Sequence, residues 1–160
     1  MAKIERVELS MVDLRPKVER TDAIQSFVSQ ETPLVTITDS DGAVGTGYSY
    51  TIGTGGSSVM RLLADHLAPR LIGRDADQIE AIWHELEFAT HATTIGAITA
   101  IALAAIDTAL WDLRARKQNL PLWKLAGGAK DRCPPTTSTA MCASTGRPRR
   151  RSPSGSRSIQ

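Results

Sequence analysis

The sequence predicts an α+β domain, in which a three-stranded antiparallel meander is followed by a three-helix bundle. Hydrophobic residues alternate with polar ones in the first 51 residues, and they recur at helical spacing between residues 59 and 116. Glycine-rich segments separate the two patterns. The chain of 160 residues is 41% hydrophobic and 22% charged, which excludes a collagen, a disulfide scaffold and a wholly disordered chain.

The three predicted strands occupy the N-terminal third of the chain. The first covers residues 4–14, and the polar stretch 17–26 follows it as a loop because its hydrophobic residues have no clear period. The second strand begins at Phe27, and the third covers residues 43–51. An Asp-Gly pair at 41–42 joins them in a tight turn, since glycine tolerates a positive φ without a Cβ clash.

The first two predicted helices have recognisable ends. Ser57 or Ser58 can cap the first helix by accepting a hydrogen bond from an exposed backbone N–H. Pro69 and Gly73 mark the end of this helix. Asp77 and the glutamate three residues later resemble a capping box for the second helix. The apolar face of the second helix consists of Ile79, Ile82, Trp83 and Leu86.

The third predicted helix runs from Thr94 to Arg116 and is apolar on most sides, which is typical of a buried helix. Its large residues form one stripe: Leu103, Ile106, Leu110 and Leu113. The alanines at positions 102, 105 and 109 form a second stripe that allows a neighbouring backbone to approach closely. A short helical turn at 121–125 follows, and it stops at two glycines.

Charge divides the chain into two parts. Residues 1–131 carry a net charge of −4, whereas residues 132–160 carry +6 from six arginines and contain no acidic residue. We expect the first part to fold and the second, rich in Arg, Pro, Ser and Thr, to be a disordered basic tail. A shift of reading frame is the preferred explanation of this tail. The alternative is a genuine basic arm whose residues 149–151 contact phosphates. No aromatic residue or repeated motif accompanies the arginines, so a nucleic-acid partner is not expected.

No membrane partner is expected either. No apolar run reaches the roughly 18 residues that a membrane-spanning helix needs, and charges occur throughout the first 15 residues. The sequence therefore predicts a chain without a secretory signal, located in the cytoplasm.

Two groups of residues resemble functional motifs only in part. His84, Glu87 and His91 share a helix face, but the segment lacks the second histidine of an HExxH motif. A surface or packing role is therefore favoured over a metal site. The glycines between residues 42 and 56 fit neither nucleotide-binding pattern and are assigned to turns.

The segment 102–127 resembles the N-terminal signature of the mandelate racemase/muconate lactonizing enzyme branch of the enolase superfamily. The matching residues are Ala105, Ile106, Asp107, Ala109, Leu110, Asp112, Leu113, Ala115, Arg116, Pro121, Leu122, Leu125 and Gly127. Ala126 departs from the pattern, which usually has a larger apolar residue there, and this weakens one packing contact. The resemblance covers about residues 3–131, and it is specific because many residue types are fixed together.

The resemblance implies an enolase N-terminal-domain-like fold that caps the mouth of a C-terminal (β/α) barrel. It implies a Mg²⁺ ion held by acidic side chains of the barrel, and a base that removes the proton α to a carboxylate. The substrate would be a hydroxy acid or an acid sugar, which is then racemised, dehydrated or cycloisomerised. Intact relatives are commonly oligomers, so a homo-oligomer is also expected.

The resemblance places the substrate-specificity residues in two loops. Lys17 and Arg20 belong to the loop after the first strand, which shields the site, and Tyr50 and Thr54 belong to the loop after the third strand. The alternatives are that the two cations are merely solvated and that Tyr50 packs at a strand end.

The signature residues Asp107, Asp112, Pro121 and Gly127 are expected to have structural roles. Asp107 and Asp112 lie well apart around the helix and are not read as a catalytic pair. Asp112 is instead predicted to pair with Arg116 four residues later.

Two hypotheses about function follow. No residue of the chain matches the family's metal ligands or catalytic bases, and a barrel of this type needs roughly 200 residues. The first hypothesis is therefore a truncated capping domain that is inactive alone, with Mg²⁺ expected only in the intact enzyme. The second is a stand-alone interaction or dimerisation module with a basic tail, because an uncovered apolar surface favours association.

Overall fold

The computed structural model of the chain describes residues 2–21, 23–24 and 26–128. The predictions for residues 132–160, including the disordered basic tail, lie outside the described residues. Within the described part, no helix has both the length and the apolar character needed to cross a membrane.

The strands form the sheet that the sequence predicts. The described strands are β1 (Ile4–Leu14), β2 (Arg20–Thr21), β3 (Ser26–Phe27), β4 (Gln30–Asp39) and β5 (Val44–Tyr48). The three long strands make one antiparallel sheet in the order β1–β4–β5, so the predicted meander is confirmed. β2 lies inside the stretch predicted as a loop and pairs with β3, which includes Phe27. The second long strand therefore begins at Gln30 and not at the predicted Phe27.

The turn between β4 and β5 has the predicted Asp-Gly geometry. Gly42 has a φ of 80°, in the left-handed region that glycine adopts without strain. The carboxylate of Asp39 also organises this turn: its Oδ1 accepts hydrogen bonds from the N–H groups of Asp41 at 3.0 Å and Ala43 at 2.9 Å. The turn therefore fixes the register of both strands.

The helices confirm the α+β class. They are α1 (Gly56–Leu62), α2 (Ala68–Leu71), α3 (Ile79–Ala89), α4 (Ala97–Lys117) and α5 (Leu122–Leu125). α1 and α2 together correspond to the first predicted helix, α3 to the second and α4 to the third. α5 is the predicted short turn.

The sequence indicated that Pro69 marks the end of the first helix, but the structure shows that it does not. It lies at the start of α2, and a π-helical turn, Leu63–Leu67, connects α1 to α2. Proline lacks a backbone N–H and its ring clashes with the carbonyl four residues earlier, and the wider π turn relieves both problems. The chain leaves the helical conformation only near Gly73, which has a φ of 79°.

The start of α1 differs from the prediction that Ser57 or Ser58 caps it. Gly55, in the left-handed region at a φ of 98°, precedes the helix, and no serine side chain caps it. The N–H of Gly56 instead donates to Glu31 Oε2 on β4 at 2.9 Å. A neighbouring strand therefore supplies the acceptor that the serines were expected to provide.

Helix α3 differs from its prediction at two residues. Asp77 does not cap it: the N–H of Asp77 donates to Asp75 Oδ1 at 3.1 Å, and no side chain caps the helix.

Trp83 is 39% exposed, although the predicted apolar face includes it. It follows Ile82 by one position, so a rotation of about 100° turns it away from the core. The residues of this face that are buried are Ile79, Ile82 and Leu86.

Two glycines of β5 allow helix α4 to lie directly against the sheet. A Cβ on Gly47 would overlap the carbonyl of Ala105 and the amide nitrogen of Ala109. A Cβ on Gly45 would overlap the carbonyl of Ala109 and the side chain of Leu113. The assignment of these two glycines to turns is therefore wrong, whereas the close approach expected at the alanine stripe is confirmed.

The hydrophobic core fills the space between the sheet and the helices. Its largest fully buried side chains are Ile4, Ile37, Leu63, Leu67, Leu71, Ile82, Leu86, Ile106, Leu110 and Leu113. This packing holds the end of the sheet from which the loops after β1 and β5 extend.

Candidate functional site

The loops after β1 and β5 meet in one cleft of about 510 Å³. The first loop contributes Lys17 and the second contributes Tyr50, so the structure brings these two predicted residues together. The other lining residues are Pro16, Val18, Phe27, Ser29, Gln30 and Ile52. Among the described residues that line this cleft, Lys17 alone carries a charge. The arrangement can attract an anion to the cleft and hold it beside a phenol.

A second, open groove of about 850 Å³ shares Tyr50 and Ile52 with this cleft. Tyr50 and Thr54 line it from the β5 side, and Ile98, Ile101 and Ala104 line it from α4. No charged residue is among its described lining residues. Thr54 therefore faces an apolar surface and does not line the cleft that contains Lys17.

Tyr50 is accessible rather than packed. It is 55% exposed, and it lines both the cleft and the groove. The structure therefore disagrees with the alternative in which Tyr50 is a packing residue at a strand end. Arg20 lies in β2 of the first loop, and its side chain is outside the described part of the structure.

The loop after β5 is held in place by Glu31, a residue that the sequence analysis missed. Glu31 Oε2 accepts a hydrogen bond from Thr51 Oγ1 at 2.7 Å and another from the N–H of Gly56 at 2.9 Å. The N–H of Thr51 also donates to the carbonyl of Glu31 at 2.9 Å. Extending the observed register of β4 and β5 places Glu31 opposite Thr51, whereas a two-residue turn at 41–42 would place it opposite Ile52, so the sequence alone did not reveal this contact.

The signature residue Asp112 connects α4 to the sheet. Its Oδ2 accepts hydrogen bonds from Arg116 Nε at 2.8 Å and from the N–H of Thr46 on β5 at 2.9 Å. The pairing with Arg116 matches the expectation from the sequence, and the bond to Thr46 is a contact between elements that the spacing alone does not reveal. Asp112 therefore joins α4 to β5, and it is not among the described residues that line the cleft.

The other signature residues are Asp107, Pro121 and Gly127. Burial raises the pKa of Asp107, and a hydrogen bond from Trp111 opposes that rise. Pro121 immediately precedes α5, and Gly127, at a φ of 77°, follows it. None of these three residues is among the described residues that line the cleft.

The described residues do not fit the Mg²⁺ ion that the family resemblance implies. They contain no group of three or more His, Cys, Asp or Glu side chains able to hold a metal ion. His84 Nδ1 lies 3.6 Å from Glu87 Oε2, and the ring of His91 stacks on Phe88 with centroids 5.1 Å apart. These side chains have surface partners.

Comparison with known proteins places the chain in a family. Residues 6–127 match the family model for the mandelate racemase/muconate lactonizing enzyme N-terminal domain. A 3,6-anhydro-α-L-galactonate cycloisomerase of Streptomyces coelicolor is 39% identical over 126 residues, which are 78% of this chain and 35% of that enzyme.

Solved structures agree with this assignment. A racemase from Streptomyces coelicolor with bound magnesium has a TM-score of 0.77 and 38% identity, over 79% of this chain and 36% of the other. An L-talarate/galactarate dehydratase from Salmonella typhimurium, liganded with Mg and L-lyxarohydroxamate, has a TM-score of 0.75 and 30% identity, over 81% of this chain and 34% of the other. The chain spans about a third of the length of these relatives. It belongs to the mandelate racemase/muconate lactonizing enzyme family of the enolase superfamily, and residues 6–127 are the N-terminal domain of that family.

Proposed function

We propose that residues 1–131 cap the active site of a Mg²⁺-dependent enzyme that removes the proton α to a carboxylate. The observation that carries this proposal is the shared cleft, in which Lys17 from one loop and Tyr50 from the other lie together. Two surface loops that form a cleft are suited to close over a substrate that is bound to another part of an enzyme. The homo-oligomer and the cytoplasmic location stay predictions.

The chemistry of the cleft supports a polar, anionic substrate. The Lys17 ammonium attracts negative charge, and the Tyr50 hydroxyl both donates and accepts hydrogen bonds, as a polyhydroxylated acid requires. Thr54, which lines the groove, adds a hydroxyl to the same loop. Arg20 would add a second cation to the first loop. The substrate class proposed is therefore a hydroxy acid or acid sugar whose end remote from the reacting carbon enters the cleft.

The names of the similar proteins agree with this class. They include a cycloisomerase acting on an anhydrogalactonate and a dehydratase acting on talarate and galactarate, and both solved structures described above contain magnesium. A bound Mg²⁺ would supply Lewis-acid chemistry to the substrate carboxylate. Because the described residues offer no metal site, the ion and the base are proposed to belong to a barrel outside the described residues.

A chimera tests the proposal. Residues 1–128 of this chain replace the matching segment of the Streptomyces coelicolor cycloisomerase, and exchange of the α-hydrogen with solvent deuterium is followed for a panel of aldonates and aldarates. The chimera is expected to show Mg²⁺-dependent exchange with at least one member of the panel. The 160-residue chain alone is the control and is expected to show none. A folded chimera that exchanges no substrate, or turnover by the control, contradicts the proposal.

A further inference from the structure

Glu31 joins the two ends of the loop that contains Thr54. Thr51 lies at the start of this loop and Gly56 at its end, and both donate to the same carboxylate oxygen, at 2.7 Å and 2.9 Å. Two residues between them, Gly53 and Gly55, have φ values of 69° and 98°. Such glycines give the loop many accessible conformations, so its observed position depends on the contacts at its base.

The surroundings of Glu31 leave little space for another arrangement. A Cβ on Gly56 would lie 2.7–2.8 Å from the Glu31 side chain, so the glycine permits the close approach of the carboxylate. Thr51 is only 7% exposed, and its hydroxyl is therefore largely removed from water. A largely buried hydroxyl that loses its acceptor pays a desolvation penalty, which makes this contact specific.

We propose that Glu31 is a positioning residue for substrate recognition: it sets where the loop presents Tyr50 and Thr54 relative to Lys17. Tyr50 precedes Thr51 directly, so a shift of Thr51 moves the phenol in the cleft. The importance of this positioning for catalysis rests on the proposed function. The contact itself is tested without substrate.

The experiment is amide hydrogen exchange on the full 160-residue chain, read in peptides that cover the loop. Glu31→Ala removes the shared acceptor and is expected to speed exchange at Gly56 about tenfold. Glu31→Gln keeps an oxygen that accepts both bonds, and its exchange is expected to stay within about threefold of the wild type. Glu8→Ala is the matched control, because Glu8 is an exposed carboxylate on β1 whose partner is Arg6.

Three results would overturn the inference: unchanged exchange in Glu31→Ala, equally fast exchange in Glu31→Gln, or acceleration spread evenly over β4, β5 and α4. If Glu31→Ala does not fold, Thr51→Val decides in its place. It removes one donor and keeps the side-chain shape, and it is expected to speed exchange only in the loop. In the chimera, Glu31→Ala is expected to raise KM severalfold with a smaller change in kcat. An inactive wild-type chimera counts against the proposed function and leaves the exchange result unaffected.

Discussion

Lys117 at the end of α4 binds Asp39 at the end of β4, with 2.7 Å between Nζ and Oδ2. The Asp39 side chain is fully buried, and Lys117 Nζ also lies 3.1 Å from Asp41 Oδ2. Because Asp39 organises the turn between β4 and β5, this ion pair connects the long helix to the hairpin. It therefore stabilises the end of the sheet opposite to the one from which the two loops extend.

Removing Lys117 should destabilise the domain. Lys117→Met leaves the buried Asp39 carboxylate without its cation, and we expect the free energy of unfolding to fall by about 2–3 kcal/mol. Urea denaturation measures this. Arg116→Met is the control, because the neighbouring Arg116 side chain is 64% exposed in its pair with Asp112 and should contribute less than about 1 kcal/mol. Equal losses in the two variants would contradict the special role of Lys117.

The contribution of this pair should depend on pH at both extremes. Burial raises the pKa of Asp39, but hydrogen bonds from Lys117 and the turn amides outweigh it, so the net pKa is lowered. The Asp39 contribution is therefore present above the ordinary carboxyl pKa of about 3.9 and is lost as the pH falls below it.

For Lys117, the hydrogen bond to Asp39 raises the pKa despite the opposing effect of burial. Its contribution is complete below the ordinary lysine pKa of about 10.4 and is lost at higher pH. The stability difference between wild type and Lys117→Met should accordingly be constant from about pH 5 to 9 and shrink outside this range. A difference that changes steadily across neutral pH would be inconsistent with this pair.

Gly47→Ala should be strongly destabilising. The added Cβ would overlap backbone atoms of Ala105 and Ala109, so helix α4 must move away from the sheet, at a cost of about 2–4 kcal/mol. Gly96→Ala is the matched control, because an added Cβ there meets nothing within 4 Å and φ is −91°. Its effect should stay below about 1 kcal/mol in thermal or urea unfolding. A mild Gly47→Ala variant would show that the close packing of α4 is not required.

The strands and helices were predictable because hydrophobic periodicity reports which face of an element is buried. The acceptor at the start of α1 and the roles of Gly45 and Gly47 were not, because each depends on an atom from another element. The acceptor for Gly56 comes from Glu31, 25 residues away, and the surface that excludes a Cβ from Gly47 is part of α4. Similarly, the loops that carry Lys17 and Tyr50 were identified from the sequence, but their shared cleft required the fold.

Lys17→Ala in the chimera should weaken substrate binding. Loss of a cation from the cleft is expected to raise KM for an anionic substrate about three- to tenfold, with a smaller effect on kcat. Steady-state kinetics at low ionic strength measures this. Lys3→Ala removes the same charge near the opposite end of β1 and should leave KM unchanged. If both variants raise KM equally, the effect is one of net charge and does not come from the cleft.

The most direct test of the capping role is the order in which the chimera prefers its substrates. kcat/KM is measured for the same panel of aldonates and aldarates with the chimera and with the parent cycloisomerase, each over a range of Mg²⁺ concentrations. If this domain selects the substrate, the order of preference should change while the dependence on Mg²⁺ stays that of the parent. An unchanged order of preference in an active chimera would contradict the account.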